Sequence, residues 1–431
     1  MADPVIDAAA FHGMMTELSA IGATAGGGVH RLAASPEDGA ARDWLSRRLT
    51  AAGFGVVVDP VGNLFGILDL AGPDAPVVLS GSHLDSQPLG GRFDGAYGVV
   101  AACEAAAAIG RMVQQGGVPR PACNLAVVSW TNEEGARFQP SLLGSSVYAG
   151  QMALADGLAC VDGDGVDLGS ALRSIGYRGE GAAPRRLAAY VEFHVECGPN
   201  LEAAGQRIGV MTGWWGAIKL QVSFIGAQSH TGPTPMARRR DALYAASLLI
   251  AEIRSLADRQ NGADQQANEE LYTSVGRIEV EPNSPNVVPG RVTVFIELRS
   301  PKRAVLQQAC AAAERYIEIA AARAGVAARI DRRSDRLAGD FDPGLIALAE
   351  ELARARGHQP MRMATIAGHD AIPLSSLCPS VVVVTPSVGG MCHHEAEYTA
   401  PEDLEEGTQL LASMLWRLCR EGGAAGGRPD A

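Results

Sequence analysis

The chain has 431 residues, of which 47% are hydrophobic and 19% are charged, and its formal net charge is −12. This length is enough for two domains and for a buried site. The negative charge argues against nucleic acid and against an anionic membrane surface as partners, so a small molecule is the expected partner.

The first half of the chain alternates strand and helix patterns. We predict a helix over 40–52, strands over 55–59, 66–70 and 77–80, an alanine-rich helix over 95–112, a strand over 124–130 and another strand over 189–193. The strands over 77–80 and 124–130 lead directly into the polar clusters 81–85 and 131–135. Open α/β folds bind ligands at the carboxyl ends of their strands, so this edge of the sheet is the expected site.

The pattern changes after residue 213. Strands over 217–224, 274–280, 292–298 and 326–331 and helices over 241–254 and 304–324 follow the order β-α-β-β-α-β, which predicts a small antiparallel sheet with two helices on one face. A helix over 343–354 and a strand over 380–384 then resume the α/β pattern. We predict a discontinuous larger domain of residues 1–213 and 332–420, an inserted domain of residues 214–331 and a flexible tail of residues 421–431.

Targeting and cysteine patterns point to the cell interior. The first residues lack the basic flank and apolar core of a signal peptide, and no window holds 18 uninterrupted apolar residues. The eight cysteines include no C-x-x-C pair, which fits a reduced compartment better than a disulfide framework. We expect a soluble, cytoplasmic protein without a membrane partner.

Several side chains in the polar clusters offer or support nitrogen and oxygen ligands for divalent metals. His83 and Asp85 are two residues apart and share a face of an extended segment, so Asp85 could orient or polarise a metal-binding histidine. Asp94 lies in a glycine-rich turn that begins a helix, where a carboxylate is well placed to bridge two metals. His194 and His393 complete the ligands. Taken singly, each of these residues is more simply explained as a polar core or capping residue.

Glu133 and Glu134 are adjacent carboxylates delivered by an apolar strand to the same sheet edge as His83. Adjacent carboxylates repel each other unless a cation or a shared proton compensates them. A solvated loop is the simpler alternative. If Glu134 binds a metal, Glu133 points elsewhere and is free to take a proton from a water molecule, which predicts an enzyme rather than a structural metal site.

Other polar residues are candidate substrate contacts. His230 lies in a turn-rich loop, where a core role is hard to justify. Asn286 and Arg299 offer an amide and a carboxylate-binding fork, although singly they are more simply a turn asparagine and a surface arginine. Gly368 and His369 belong to a loop that could support the site or contact substrate, and spacing alone does not decide between these roles.

The residues and the order of six motifs resemble the motifs of one known family. They are GSHLDSQP (81–88), GGRFDGA (90–96), TNEEGARF (131–138), EFHVECGP (192–199), NVVPG (286–290) and GHDA (368–371). Together they resemble the hydantoinase/carbamoylase family of dinuclear amidohydrolases, which includes N-carbamoyl-L-amino-acid hydrolases, β-ureidopropionases and allantoate amidohydrolases. The resemblance covers nearly the whole chain up to the C-terminal tail. The motifs identify the family specifically but give little information about the substrate.

The resemblance implies an α/β, zinc-peptidase-like catalytic domain, with a mixed sheet flanked by helices, interrupted by a smaller α+β lid domain that dimerises. By motif, His83 and His194 would hold one metal, Glu134 and His393 the other, and Asp94 would bridge them. The two divalent ions would be Zn, or Mn, Co or Ni, since such ligands accept all of these.

The resemblance also implies the catalytic roles. Glu133 would act as general base and acid. His230, at a position that in such enzymes reaches into the site of the partner subunit, would steady the oxyanion, and Asn286 and Arg299 would hold the substrate carboxylate. The expected assembly is a homodimer.

Two positions depart from the family pattern. Cys197 stands where the family commonly has glutamine, so a substrate-facing amide is replaced by a thiol that bonds weakly. Cys392 stands where serine is usual, and His394 beside His393 is an alternative ligand, although the motif favours His393. The position of Cys197 beside the expected metal cluster makes its sensitivity to oxidation a hypothesis.

The resulting hypothesis is metal-assisted hydrolysis of the C–N bond of N-carbamoyl-L-amino acids or related ureido acids, which releases amino acid, ammonia and carbon dioxide. An amidase or aminoacylase acting on another N-acyl amino acid, or an allantoate amidohydrolase, is the alternative. A catalytically silent, metal-dependent binding protein is a third reading. It is disfavoured because it would have no need for Glu133 beside Glu134.

Overall fold

The computed structural model describes residues 3–262 and 270–423. The chain divides into two compact units, a larger one of Met1–Thr212 with Phe341–Ala431 and a smaller one of Gly213–Asp340. The smaller unit ends beyond residue 331 because its last long strand continues to Arg336. Of the predicted tail over 421–431, residue 421 ends a helix, and residues 424–431 lie outside the described residues.

The described residues contain fifteen strands and twelve α-helices. The strands are β1 Gly55–Val58, β2 Leu64–Leu68, β3 Val77–His83, β4 Asn124–Trp130, β5 Leu187–Val195, β6 Gly209–Trp214, β7 Gly216–Ile225, β8 Ser229–His230, β9 Tyr272–Glu281, β10 Val287–Val288, β11 Arg291–Ser300, β12 Ala327–Arg336, β13 Gly339–Asp340, β14 Met361–Thr365 and β15 Ser380–Thr385. The helices are α1 Ala8–Ser19, α2 Pro36–Ala51, α3 Ala96–Gln115, α4 Leu143–Tyr148, α5 Leu154–Leu158, α6 Leu168–Ser174, α7 Asn200–Ala204, α8 Ala242–Asn261, α9 Arg303–Ala324, α10 Pro343–Ala355, α11 Ala371–Leu374 and α12 Pro401–Glu421.

The larger unit is built on a mixed sheet. Its strands follow the order β1-β2-β4-β3-β5-β15-β6, and β14 also pairs with β6. The four central strands β4, β3, β5 and β15 are parallel to one another, whereas β1 pairs with β2, β2 with β4 and β6 with β15 in antiparallel fashion. Every residue of β3, β4 and β15 is buried, as expected for parallel strands covered on both faces. The predicted α/β class is confirmed.

Helices α3 and α12 pack against each other and against the central strands. In the part of the chain that the structure describes, α3 is the one helix long and apolar enough to cross a membrane by length and composition, and 78% of its apolar window is buried inside the fold. Its alanine-rich sequence allows a close approach, because small side chains bring the helix axis near the sheet. The helix therefore belongs to the core of the larger unit.

The smaller unit has its own sheet and core. Its strands follow the order β12-β7-β11-β9, all antiparallel, and helices α8 and α9 pack together on this sheet. A continuous cluster of buried side chains fills the space between helices and sheet, including Phe224, Leu249 and Ile317. The predicted order β-α-β-β-α-β is present, with a short pair, β8 and β10, added beside it.

Candidate metal centre and active site

The polar clusters predicted from the sequence lie at one edge of the mixed sheet. Strands β3 and β4 are parallel, with His83 opposite Trp130, and β5 and β15 are parallel, with Val384 opposite His194. The loops that follow β3, β4 and β15, together with the end of β5, therefore leave the sheet at the same side. These segments carry all five predicted metal ligands.

Asp94 lies at the centre of the cluster. Its Oδ1 is 3.6 Å from Nε2 of His83 and 3.1 Å from Nε2 of His194, and its Oδ2 is 3.1 Å from Nε2 of His393. The two oxygens of one carboxylate thus face two different sets of histidines. Gly95 permits this approach, because a Cβ there would lie 2.3 Å from the His83 ring. The geometry is that expected of a bridging carboxylate between two metal positions.

Backbone carbonyl groups orient two of the histidines. Nδ1 of His83 donates to the backbone oxygen of Asp85 at 2.9 Å, and Nδ1 of His194 donates to the backbone oxygen of Val195 at 2.8 Å. Each ring therefore presents Nε2 to Asp94, which is how a second hydrogen bond fixes the tautomer of a metal ligand.

The Asp85 carboxylate has a different role from the one expected. It lies 3.9 Å from Nδ1 of His83, which is too far for a hydrogen bond. Instead it accepts from the backbone N–H groups of Glu133 at 3.2 Å and Glu134 at 3.3 Å. Asp85 orients His83 through its backbone oxygen and holds the Glu133–Glu134 turn through its side chain.

The two adjacent carboxylates face different histidines. Oε2 of Glu134 is 3.4 Å from Nε2 of His393 and accepts from Nε2 of Gln87 at 2.9 Å. Oε2 of Glu133 is 3.5 Å from Nε2 of His83. Glu134 is thus on the side of His393, and Glu133 lies on the side of His83. Among the described residues, the Glu133 carboxylate has no side-chain hydrogen bond that would compete with proton transfer.

Charge shifts the pKa values at the site. Burial raises the pKa of Glu133 well above its usual value. The charge of His83 lowers this pKa, whereas the negative charges of Asp370 and Glu134 raise it further. Burial opposes the protonated form of His194, but the hydrogen bond to Asp94 and the charges of Asp94 and Glu192 raise its pKa to about 9. Such a site favours bound positive charge.

The side chains present fit divalent metal ions. Asp94 belongs to two groups with metal-ligand spacing, one with His83 and His194 and one with Cys392 and His393. Carboxylates outnumber buried cations here, and buried charge without a counter-ion is unfavourable. Imidazole and carboxylate ligands suit Zn²⁺ and its first-row neighbours. The centre therefore has the ligand set of a divalent-metal site.

A buried network lies behind His194. The His369 ring meets the His194 ring edge-on at 4.8 Å, and its Nδ1 is 3.8 Å from Oε1 of Glu192. Glu192 accepts from the Ser82 hydroxyl at 2.9 Å and from the Ala371 backbone N–H at 2.8 Å. Burial lowers the pKa of His369, so its ring is neutral. The predicted loop 368–369 thus supports a candidate ligand, while substrate contact by Gly368 and His369 stays a prediction.

Sequence reasoning missed Glu397. Its Oε1 accepts from the backbone N–H groups of Phe93 at 2.9 Å and Asp94 at 3.0 Å, and its Oε2 is buried without a hydrogen-bond partner among the described residues. Burial and the charge of Asp94 raise the pKa of Glu397 to about 7. Its position four residues after His393 was the available signal. Gln87 was also missed, although it lies within the first metal motif.

The two cysteines that depart from the family pattern are neighbours. Cys197 and Cys392 form a disulfide with a Cα–Cα distance of 4.9 Å. This bond is contrary to the expectation of reduced cysteines, and spacing could not predict it because 195 residues separate the pair. The other six cysteines are free and buried, as expected for small apolar side chains.

The remaining predicted site residues belong to the smaller unit. His230 in β8 pairs with Val287, and the backbone N–H of Thr231 donates to the oxygen of Asn286 at 3.3 Å, so His230 and Asn286 lie close together. Arg299 donates to Oε2 of Glu297 at 2.9 Å. Their contact with substrate stays a prediction.

Arg299 lies at the far end of the smaller sheet from β8. It pairs with Ala217 at the start of β7, whereas Arg291 pairs with Ile225, after which the chain continues to β8. The eight residue-to-residue steps from Arg291 to Arg299 extend about 26 Å at 3.3 Å each. Within one chain, His230 and Arg299 are therefore near opposite ends of this sheet.

Comparison with known proteins identifies the class. The model of Peptidase family M20/M25/M40 matches residues 79–417. A Mycolicibacterium smegmatis protein named as a hydrolase is 45% identical over 93% of this chain and 91% of its own length. The N-carbamoyl-L-amino-acid amidohydrolase of Rhizobium meliloti is 35% identical over 92% of this chain and 93% of its own length. The allantoate amidohydrolase of Bacillus subtilis is 34% identical over 93% of this chain and 95% of its own length.

A solved structure gives the narrower group. The amidase of the hydantoinase/carbamoylase family from Burkholderia vietnamiensis superposes with a TM-score of 0.91 at 37% identity, over 96% of this chain and 98% of that one. The chain belongs to peptidase family M20/M25/M40 and, within it, to the hydantoinase/carbamoylase group. The family predicted from the six motifs and the prediction of an amidohydrolase are confirmed.

Proposed function

We propose that this chain is a dinuclear metal-dependent hydrolase of ureido acids, with N-carbamoyl-L-amino acids as the substrate class. The products would be the amino acid, ammonia and carbon dioxide. One observation carries the proposal: the two oxygens of Asp94 face separate histidines, and Glu133 lies beside them without a competing hydrogen bond among the described residues. This arrangement provides a bridged ligand set together with a proton carrier.

Each side chain has a place in the reaction. His83 and His194 would hold one ion, His393 and Glu134 would hold the other, and Asp94 would contact both. When bound, the ions would polarise the ureido carbonyl and lower the pKa of water. Glu133 accepts the proton of the attacking water and delivers it to the leaving nitrogen. The raised pKa of Glu133 suits this step, because it makes the carboxylate a better acceptor of the proton from water.

Substrate binding would need two copies of the chain. Arg299 is the fork that suits a substrate carboxylate, and His230 is a donor suited to the developing oxyanion. Their placement near opposite ends of one sheet supports a homodimer in which Arg299 of one chain and His230 of the partner subunit meet the same small substrate. On this basis Asn286, which lies next to His230, would contact the same substrate as His230 and not the substrate held by Arg299 of its own chain.

Zinc, manganese, cobalt and nickel all suit the imidazole and carboxylate ligands, and cellular supply selects among them. We propose that the protein works in the cytoplasm. That proposal rests on the six free, buried cysteines, which fit a reducing compartment.

Allantoate hydrolysis is the second candidate. Relatives named for the two activities are similar to this chain to almost the same degree, at 35% and 34% identity. Both substrates present a ureido group and a carboxylate, so the metal centre and Arg299 would serve either one.

Ammonia release distinguishes these candidates. The protein, reconstituted with Zn²⁺, Mn²⁺, Co²⁺ or Ni²⁺ in turn, is assayed with a panel of N-carbamoyl-L-amino acids, N-carbamoyl-β-alanine and allantoate, and amine release from N-acetyl amino acids is followed in parallel. Ammonia from N-carbamoyl-L-amino acids supports the proposal, and ammonia from allantoate alone selects the second candidate. Amine release without any ammonia would refute both and favour an aminoacylase.

A further inference from the structure

The Cys197–Cys392 pair joins two segments that carry candidate metal ligands. Cys197 follows His194 by three residues, and Cys392 directly precedes His393. Both cysteines are partly exposed, whereas the six free cysteines are buried. An oxidant in solution can therefore reach this pair more easily than the other thiols.

The fold holds the two segments together without help from the sulfur atoms. The backbone N–H of Cys197 donates to the hydroxyl of Ser387 at 3.0 Å, and that of Glu196 donates to the oxygen of Thr385 at 2.8 Å. A Cβ at Gly390 would lie 2.8 Å from the Pro199 nitrogen, so the two backbones are in close contact here. The thiols of the reduced protein would consequently stay within reach of each other.

Cys392 is also among the candidate ligands of the site. Its sulfur is 3.1 Å from Oδ2 of Asp94, and Asp94, Cys392 and His393 form a group with metal-ligand spacing. A thiolate is a strong ligand for first-row metals, whereas a disulfide sulfur lacks the charge that makes it one. The oxidation state of Cys392 thus changes the ligands available beside His393.

We propose that Cys197 and Cys392 are a thiol modification site, a reversible dithiol–disulfide pair that controls how firmly the His393 side of the centre holds its metal. The reactants would be hydroperoxides. One thiolate attacks the peroxide, becomes a sulfenic acid and releases an alcohol or water; the second thiol then attacks that sulfur, forms the disulfide and releases water. The two sulfurs lose two electrons to the peroxide, and a dithiol reductant reverses the reaction.

The disulfide step does not depend on substrate identity, whereas its effect on metal retention rests on the metal centre of the proposed function. In the thiol state, Cys392 would add a sulfur ligand to Asp94 and His393. In the disulfide state, that ligand is withdrawn and the segment before His393 is tied to the segment after His194. We expect the oxidised protein to lose metal faster than the reduced protein.

The test uses the full-length protein loaded with Co²⁺, reduced with a dithiol or treated with hydrogen peroxide. Alkylation and peptide mapping identify the protected cysteines, metal analysis gives the ions per chain after dialysis, and near-ultraviolet absorption reports a sulfur–cobalt bond. We expect peroxide to abolish alkylation of Cys197 and Cys392 alone, to remove the sulfur–cobalt absorption and to lower the metal content. A dithiol followed by fresh Co²⁺ should restore all three.

Three variants sharpen the test. C197S leaves Cys392 without a partner and should form no disulfide on peroxide treatment, and C392S should lack the sulfur–cobalt absorption from the start. Cys160, a buried cysteine whose thiol donates to the Asp156 oxygen at 3.4 Å, gives the matched control C160S, which should behave as the parent protein.

Continued alkylation of both cysteines after peroxide would overturn the modification site. A disulfide that forms without any change in metal content would overturn its control of the metal. A protein that holds no metal in either state would refute the metal centre and this control together, while peptide mapping would still decide whether the disulfide forms. Absence of ureido hydrolysis alone would refute only the proposed substrate.

Discussion

Two adjacent carboxylates acquire different roles because their surroundings differ. Glu134 faces His393 and is held by Gln87, whereas Glu133 faces His83 and has no such hydrogen bond among the described residues. The backbone of both is held by the Asp85 carboxylate, which fixes the turn between them. One turn thus presents two carboxylates with different surroundings, as a metal ligand beside a proton carrier would require.

We expect E133Q to keep its metal and lose activity. The amide matches the shape of the carboxyl group but cannot accept the proton of water, and general acid–base catalysis typically contributes about 10²- to 10⁴-fold to a rate. Turnover of the best ureido substrate should fall by about that factor, with metal content measured on the same sample. The neighbouring variant E134Q is the comparison, because it should lose metal as well as activity. Near-normal turnover in metal-loaded E133Q would contradict the role of Glu133.

We expect Glu397 to act as a positioning residue for Asp94. Its carboxylate holds two consecutive backbone N–H groups, of Phe93 and Asp94, and groups that orient a ligand typically affect metal affinity by about 10- to 100-fold. E397A should therefore bind metal about 10- to 100-fold more weakly in a competition titration with a chelator. With metal in excess, turnover should recover, as it would not for a residue that transfers protons.

E395A is the matched control for E397A. Glu395 is two residues away, and its carboxylate contacts the Thr24 hydroxyl rather than the Asp94 backbone. The metal affinity of E395A should be close to that of the parent protein. Equal weakening in both variants would indicate a general disturbance of the loop and would remove the specific role of Glu397.

At the residue scale, the sequence predicted which candidate ligands lie together but not what orients them. Metal ligands are recognisable because few side chains bind metals and their motifs follow strand ends. Glu397 acts through backbone N–H groups of Phe93 and Asp94, about 300 residues away in the chain, and a backbone partner leaves no pattern in the sequence. The use of the Asp85 backbone oxygen in place of its carboxylate was hidden for the same reason.

At the scale of elements, the close approach of α3 to the sheet positions the ligands. A Cβ at Gly98 would lie 2.3 Å from the Phe193 oxygen and 2.8 Å from the Ser82 Cβ. Phe193 and Ser82 directly precede His194 and His83. A side chain larger than hydrogen at Gly98 would therefore push the helix against the strands that carry both histidines.

We expect G98A to destabilise the protein by about 1–3 kcal/mol, the usual effect of overpacking a core, because the clash is with backbone that cannot rotate away. Urea unfolding measures the change. The control is G13A in α1, where nothing lies within 4 Å of the new methyl group, so the substitution should stabilise the helix by about 0.5–1 kcal/mol. A neutral G98A would show that α3 can shift freely.

Most long elements were predictable because their hydrophobic periodicity is strong. The strand over 124–130 matches β4 to the residue, and the helices over 95–112 and 304–324 correspond to α3 and α9. Helix α12 was missed, although Pro401 at its first turn and Gly422 after its end are typical boundary signals. The strand predicted over 326–331 was too short, since a register shift after Ile330 lets β12 continue through a charged, exposed segment.

At the scale of the whole molecule, the metal centre draws on distant parts of the chain. His83 and His393 are both candidate ligands, and the entire smaller unit lies between them in sequence. An ion bound at the centre would tie these segments together only in the folded state. Its binding therefore stabilises the folded larger unit by mass action, and the stabilisation reaches about 2.7 kcal/mol when free metal is about 100 times the dissociation constant.

Removing the metal should therefore loosen one unit and spare the other. The smaller unit has its own core between α8, α9 and their sheet, and the candidate ligands all lie in the larger unit. We expect chelation to increase hydrogen exchange in the segments around His83, Asp94 and His393, with little change in α8 and α9, and added Zn²⁺ to reverse it. Hydrogen exchange followed by mass spectrometry measures both units in one sample. Equal loosening of α8 and α9 would mean that metal binding stabilises the chain as one cooperative body, and unchanged exchange at the three ligand segments would mean that no ion binds there.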